Sequence, residues 1–110
     1  MEESIQKKQR SCISGYPLKS YDTASCTIDG ETLIVSSIDQ KVYVLNKAGT
    51  RIWELADGFH SIDDIAWVLT RTSKKSEEQL RKDVERFVMG LIEKKVLVVI
   101  ERPLDYSQMS

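Results

Sequence analysis

The sequence is poor in the residues that most catalytic chemistry needs. It holds one histidine, His60, and two cysteines, Cys12 and Cys26, in 110 residues. A single imidazole builds no His-rich metal site, and no Ser or Cys is spaced to pair with it as nucleophile and base. His60 therefore reads as an exposed loop residue. The cysteines form no C-x-x-C pair and no His/Cys cluster accompanies them, so neither a metal nor a redox pair is expected. In a reducing cytosol a Cys12–Cys26 disulfide is disfavoured, and Cys26, in a strand-like stretch, reads as a small buried hydrophobe. Glycine-rich phosphate loops and H-E-x-x-H are missing too, so no cofactor is expected.

Other scarcities narrow the class further. Two prolines and five glycines are too few for a fibrous or low-complexity chain. The longest apolar run, Val96 to Ile100, is far below the ~20 residues that span a bilayer. The first ten residues lack the apolar segment of a secretory signal, which predicts a cytoplasmic protein with no membrane partner. Sixteen Lys and Arg against seventeen Asp and Glu leave a net charge of -1, so no global field attracts nucleic acid. The adjacent acids Asp63-Asp64 and Glu77-Glu78 point about 100° apart on a helix and are solvated first-turn acids, not a catalytic pair. An enzyme is not expected.

What remains is a patterned globular domain. Residues 1–23 read as a polar N-terminal extension, with local order near Tyr16-Pro17-Leu18 and a solvated basic cluster at Lys7-Lys8-Gln9-Arg10. Residues 24–100 form the domain, and 101–110 a C-terminal tail. Ala24 to Ile28, Thr32 to Ser37 and Lys41 to Leu45 read as strands rich in β-branched residues. Asp29-Gly30 between the first two is a strong hairpin signal, and the three make an antiparallel meander.

The period then changes to helical. Asn46 caps a helix running to about Ala56, with Ala48, Ile52, Trp53, Leu55 and Ala56 as its apolar side. Asp57-Gly58 ends it, with the glycine in a left-handed cap. Ser61 and Asp64 form a capping box for a second helix with Ile62, Ile65, Ala66 and Leu69 inward. Trp67 falls off that stripe and reads as a second packing edge or as an exposed aromatic for a partner. Ser76 opens a long third helix on which Leu80, Val84, Phe87, Val88, Leu91 and Ile92 make one apolar stripe. Gly90 inside it predicts close approach of another backbone. A short strand, Val96 to Ile100, follows. The fold class is α+β, resembling a winged helix-turn-helix.

That architecture raises a DNA-binding regulator as one reading, with the third helix in the groove. Its charges argue against this. Glu77, Glu78, Asp83, Glu85 and Glu93 balance Arg81, Lys82, Arg86, Lys94 and Lys95, and the leading turn is acidic, whereas DNA affinity rests on neutralising phosphates.

The stretch Val44-Leu45-Asn46-Lys47-Ala48-Gly49-Thr50-Arg51-Ile52-Trp53-Glu54-Leu55-Ala56-Asp57-Gly58 resembles the signature of the PqqD-like family, the recognition elements for precursors of ribosomally made, modified peptides. Lys82-Asp83-Val84-Glu85-Arg86-Phe87-Val88 is similar to the family's third-helix segment, and the resemblance spans about residues 24–98. Gly49 and Trp53 place it nearest the free-standing B1 proteins of lasso-peptide pathways. One departure is Lys95-Val96-Leu97, where the family usually reads Gly-Leu-Leu.

The resemblance implies a non-catalytic protein that binds the leader of a precursor peptide and presents it to modifying enzymes, here a leader peptidase and a cyclase. The free edge of the meander's last strand suits that task, because an extended peptide can add to it as a further strand. Val42, Tyr43, Val44 and Leu45 are then the pairing residues. Leu80, Asp83, Val84 and Phe87, three or four apart on the third helix, are the expected groove wall, although Leu80, Val84 and Phe87 read equally well as plain core. A monomer is expected, with the same edge as the route to any dimer.

Overall fold

The computed structural model describes residues 14–104. Along the chain come β1 (Tyr16–Lys19), β2 (Thr23–Ile28), β3 (Glu31–Ser36), β4 (Lys41–Leu45), α1 (Lys47–Leu55), α2 (Ile62–Leu69), α3 (Glu77–Glu93) and β5 (Leu97–Ile100). The meander, the three helices and the closing strand expected from the sequence are present. β1 is an addition, formed within the segment read as an extension. It pairs antiparallel with β5, Tyr16 opposite Ile100 and Lys19 opposite Leu97. Four residues are too short to show a period, and their partner lies at the far end of the domain. Cys12, the basic cluster at Lys7–Arg10 and most of the tail fall outside the described residues.

β2, β3 and β4 form one sheet in that order. The turn between β2 and β3 has Asp29 at φ 55° and Gly30 at φ 80°, the left-handed pair that a two-residue hairpin requires. On β3, Thr32, Ile34 and Ser36 are buried, whereas Leu33 and Val35 are exposed. β2 turns polar residues inward: Trp53 Nε1 donates to Ser25 Oγ at 3.1 Å, and the Thr27 and Thr32 hydroxyls meet at 2.8 Å. Cys26 on its other face is exposed rather than buried.

The core lies between the inner sheet face and the helices. Ile52, Trp53 and Ala56 of the α1 region, Ile65 and Ala66 of α2, and Val84, Val88 and Leu91 of α3 are all buried there. Ala48 is exposed, so α1 buries Gly49 and Thr50 in its place. All three helices start as their sequences predict. Gly49 N–H donates to Asn46, the Ser61–Asp64 box closes in both directions, and Gln79 N–H donates to Ser76.

Their ends differ more from expectation. α1 stops at Leu55, and Gly58, although at φ 83°, does not cap it. Its N–H instead donates to Pro17 O at 2.9 Å, and Asp57 bridges to Leu18, docking β1 onto the helical layer. Lys19 completes the dock, its ammonium donating to Ala56 O at 3.2 Å and lying over the Trp53 ring. Half-burial lowers the Lys19 pKa from its ordinary value, against the pull of Asp57 and Glu54. His60 is not the exposed loop residue expected. It is half-buried, with Nδ1 3.0 Å from Asp57 Oδ1.

α3 ends in a tight cap in which Lys95 N–H donates to Ile92 O and Val96 N–H to Leu91 O. That pattern puts Lys95 in the left-handed position, φ 65°, which glycine usually fills. No helix among the described residues is long and apolar enough to cross a membrane.

Candidate functional site

The hairpin geometry settles which backbone groups of β4 are free. In a two-residue hairpin the flanking pair, Ile28 and Glu31, exchanges both hydrogen bonds, and such pairs alternate along the ladder. Ser37 N–H donating to Asp22 O at 3.1 Å is a rung of that same series. β3 therefore turns the N–H and C=O groups of Thr32, Ile34 and Ser36 towards β4. Their partners there are Leu45, Tyr43 and Lys41. Val42 and Val44 are left with backbone groups pointing away from the sheet. Their side chains are 56% and 68% exposed on its outer face.

Beside this edge runs a groove of about 700 Å³ between β4 and α3. Val42, Tyr43, Val44 and Leu45 form one bank. Lys75, Asp83, Arg86, Phe87, Gly90, Leu91 and Lys94 form the other. Of the residues expected from the sequence, the structure brings together the four of β4 with Asp83 and Phe87. Leu80 and Val84 are not among them. They are 6% and 0% exposed, lie in the core, and with Asp83 line a neighbouring hollow of about 330 Å³ beneath α1.

Each groove side chain has a local reason for its place. Tyr43 is half-buried and its hydroxyl donates to Asp39 Oδ2 at 2.9 Å. Partial burial and that bond push the phenol up from its ordinary value, while the same bond holds the Asp39 carboxyl down. Asp83, expected on the groove wall, has three partners: Lys75 Nζ at 2.8 Å, Gln79 Nε2 at 3.1 Å and Arg86 at 3.8 Å. The Lys75 bond, chiefly, holds its carboxyl below the ordinary value. Phe87 is half-buried against the core. Apart from its chain neighbours and its own helix backbone, Gly90 has no atom within 4 Å of where a Cβ would stand, so it opens the groove floor instead of admitting a second backbone.

Sequence reasoning missed Lys75, Arg86, Gly90, Leu91 and Lys94 as groove residues. For the last four the signal was helical spacing, since Asp83, Arg86, Phe87, Gly90, Leu91 and Lys94 recur along one side of α3, whereas Lys75, ahead of the helix, carried no such signal. No group of three or more His, Cys, Asp or Glu able to hold a metal occurs among the described residues.

Residues 29–97, more than half the chain and all of the groove, match the family model of coenzyme PQQ synthesis protein D, PqqD. The chain belongs to the PqqD family. Two solved structures share the fold of this PqqD-family chain. One is TbiB1 in complex with the TbiA(beta) leader peptide, with TM-score 0.69, 21% identity, and coverage of 73% of this chain and 93% of that one. The other is a lasso peptide synthetase B1 complexed with the leader peptide, with TM-score 0.68, 20% identity, and coverage of 76% and 99%. No curated protein sequence matches this PqqD-family member significantly.

Proposed function

We propose that this chain is a non-catalytic recognition protein for the leader of a ribosomally made precursor peptide. The leader adds to β4 as a further strand, bonding to the backbone of Val42 and Val44, and turns alternate side chains into the groove. Tyr43, Leu45 and Phe87 meet those side chains, and Asp83, fixed by Lys75 and Gln79, sits at the rim. Leu80 and Val84 support the wall from the core. The chain then delivers the bound precursor to its modifying enzymes, a leader peptidase and a cyclase of lasso-peptide assembly.

The observation that carries this reading is the free edge at Val42 and Val44 lying alongside an apolar groove. An unpaired edge alone invites any strand, and a groove alone invites any apolar ligand. Together they fit an extended peptide with alternating contacts. The two B1 proteins of the same fold, each held with a leader peptide, support the assignment. Micromolar affinity needs about −8 kcal/mol, within reach of one added strand and a few filled pockets.

Fluorescence polarisation with a labelled leader from a precursor encoded beside this gene tests it, with a labelled random DNA duplex in parallel. Saturable leader binding and a silent duplex are expected. Val44→Pro removes one outward N–H without touching the β3 ladder, and should abolish binding while the helical circular dichroism stays unchanged. Binding that survives this change rules out strand addition. Salt-sensitive duplex binding with a silent leader restores the winged-helix regulator.

A further inference from the structure

The two ends of the groove differ in chemistry. At the Leu45 end, Phe87 lies against Gly49 and offers an apolar wall. At the other end, Lys94 holds its ammonium 5.9 Å from the centre of the Tyr43 ring. Among the described residues no carboxylate stands within ion-pairing distance of Lys94. Lys75, by contrast, is neutralised by Asp83 at 2.8 Å, and Arg86 lies 3.8 Å from the same carboxylate. Asp39, also near Tyr43, accepts from the Tyr43 hydroxyl and the Lys41 N–H and does not line the groove. The lining thus carries three cations against one carboxylate, two positive charges in excess. The chain as a whole is at -1. This positive charge is local to the groove and is not explained by bulk composition.

We propose that Lys94 selects an acidic side chain in the bound peptide, one residue removed from an apolar side chain that packs against Phe87. The proposal rests on strand addition to β4 and specifies what the added strand must carry. A strand bonded at Val42 and Val44 points the residue abreast of Tyr43 into the groove, and the residue abreast of Leu45 into it as well. These two positions are separated by a single outward residue in either strand direction. The first comes under the Lys94 ammonium and the second faces the apolar end. A carboxylate gains from the unpaired cation there, and the covering peptide excludes water from the pair. A lysine at that position meets like charge.

A randomised 12-residue peptide display library, selected on the immobilised full chain, tests this without requiring the leader sequence. Peptides that win on the wild-type chain, and are lost on Val44→Pro, should carry Asp or Glu two positions from an apolar residue. Replacing that acid by its amide in a fluorescein-labelled synthetic winner should weaken binding about fivefold, the upper end for an ion pair at the surface. Lys94→Glu should shift the winners to Lys or Arg at the same position. Lys94→Gln, which removes the charge without reversing it, should erase the preference while helical content is kept. Edge-dependent winners without acid bias, or with no loss on amidation, overturn this inference and leave peptide binding standing. A library from which nothing dependent on Val44 is enriched overturns both.

Discussion

Gly49 of α1 and Phe87 of α3 fit together so closely that a Cβ on Gly49 would stand 2.9 Å from two atoms of the phenyl ring. The groove wall is thus set from behind by the absence of a side chain. Gly49→Ala gains helix propensity of about 1 kcal/mol but must push the ring outwards. The melting temperature should change by only a few degrees, while affinity for a bound peptide falls about tenfold, the size of one displaced aromatic contact. Thermal melts and polarisation titrations on the same samples check the split.

Gly90 gives the opposite test on the groove floor. Gly90→Ala meets nothing within 4 Å and should stabilise α3 by about 1 kcal/mol, raising the melting temperature by about 4–8 °C. Gly90→Leu fills the floor and should block peptide binding in a chain that remains folded. Retained affinity in Gly90→Leu would show that the peptide does not reach the floor.

Lys95 holds a left-handed backbone at φ 65°, a conformation unfavourable by about 1 kcal/mol for a residue with a Cβ. Lys95→Gly should relieve it and raise the melting temperature by several degrees without changing peptide affinity, since Lys95 does not line the groove. Denaturant titration should show a higher midpoint with an unchanged slope.

Asp57 sets an acid limit on the docking of β1. Burial raises its pKa, but hydrogen bonds from His60 and from Phe59 N–H outweigh this and leave it below the ordinary carboxylate value. A depressed folded pKa contributes stability above the unfolded value, about 3.9, and loses it as pH falls through the folded one. Wild-type stability should therefore drop as the pH is lowered through and below about 4. Asp57→Asn should be less stable at pH 7 and show a shallower decline, read by melts across a pH series.

The caps and stripes of the three helices and the Asp29-Gly30 turn were legible because each is local: one residue type at one offset with one backbone need. Burial across the sheet was not. Leu33, Val35, Val42 and Val44 make the outer face as apolar as the inner one, so alternation does not say which face is covered, and Cys26 falls on the open side. Trp67 likewise stands visibly off its stripe, yet the sequence does not reveal that it stays 51% exposed with the Arg71 guanidinium 4.6 Å from its ring centre. Within the site, the strand with a free edge can be read from chain order, while Leu80 and Val84 share a helix face with the core and only three dimensions separate lining from filling. The cations count as part of a balanced surface in the sequence because a tally of charges carries no direction.

The rung that joins Tyr16 to Ile100 brings the start of β1 and the end of β5 together at one point of the surface. Anything joined directly at residue 15 or residue 101 leaves from the same place, with the groove facing the same way. A tether to an enzyme could be moved from front to back without redesigning its geometry. A short link from residue 15 to residue 101, with the chain reopened at Asp29-Gly30, should give a circular permutant that still folds.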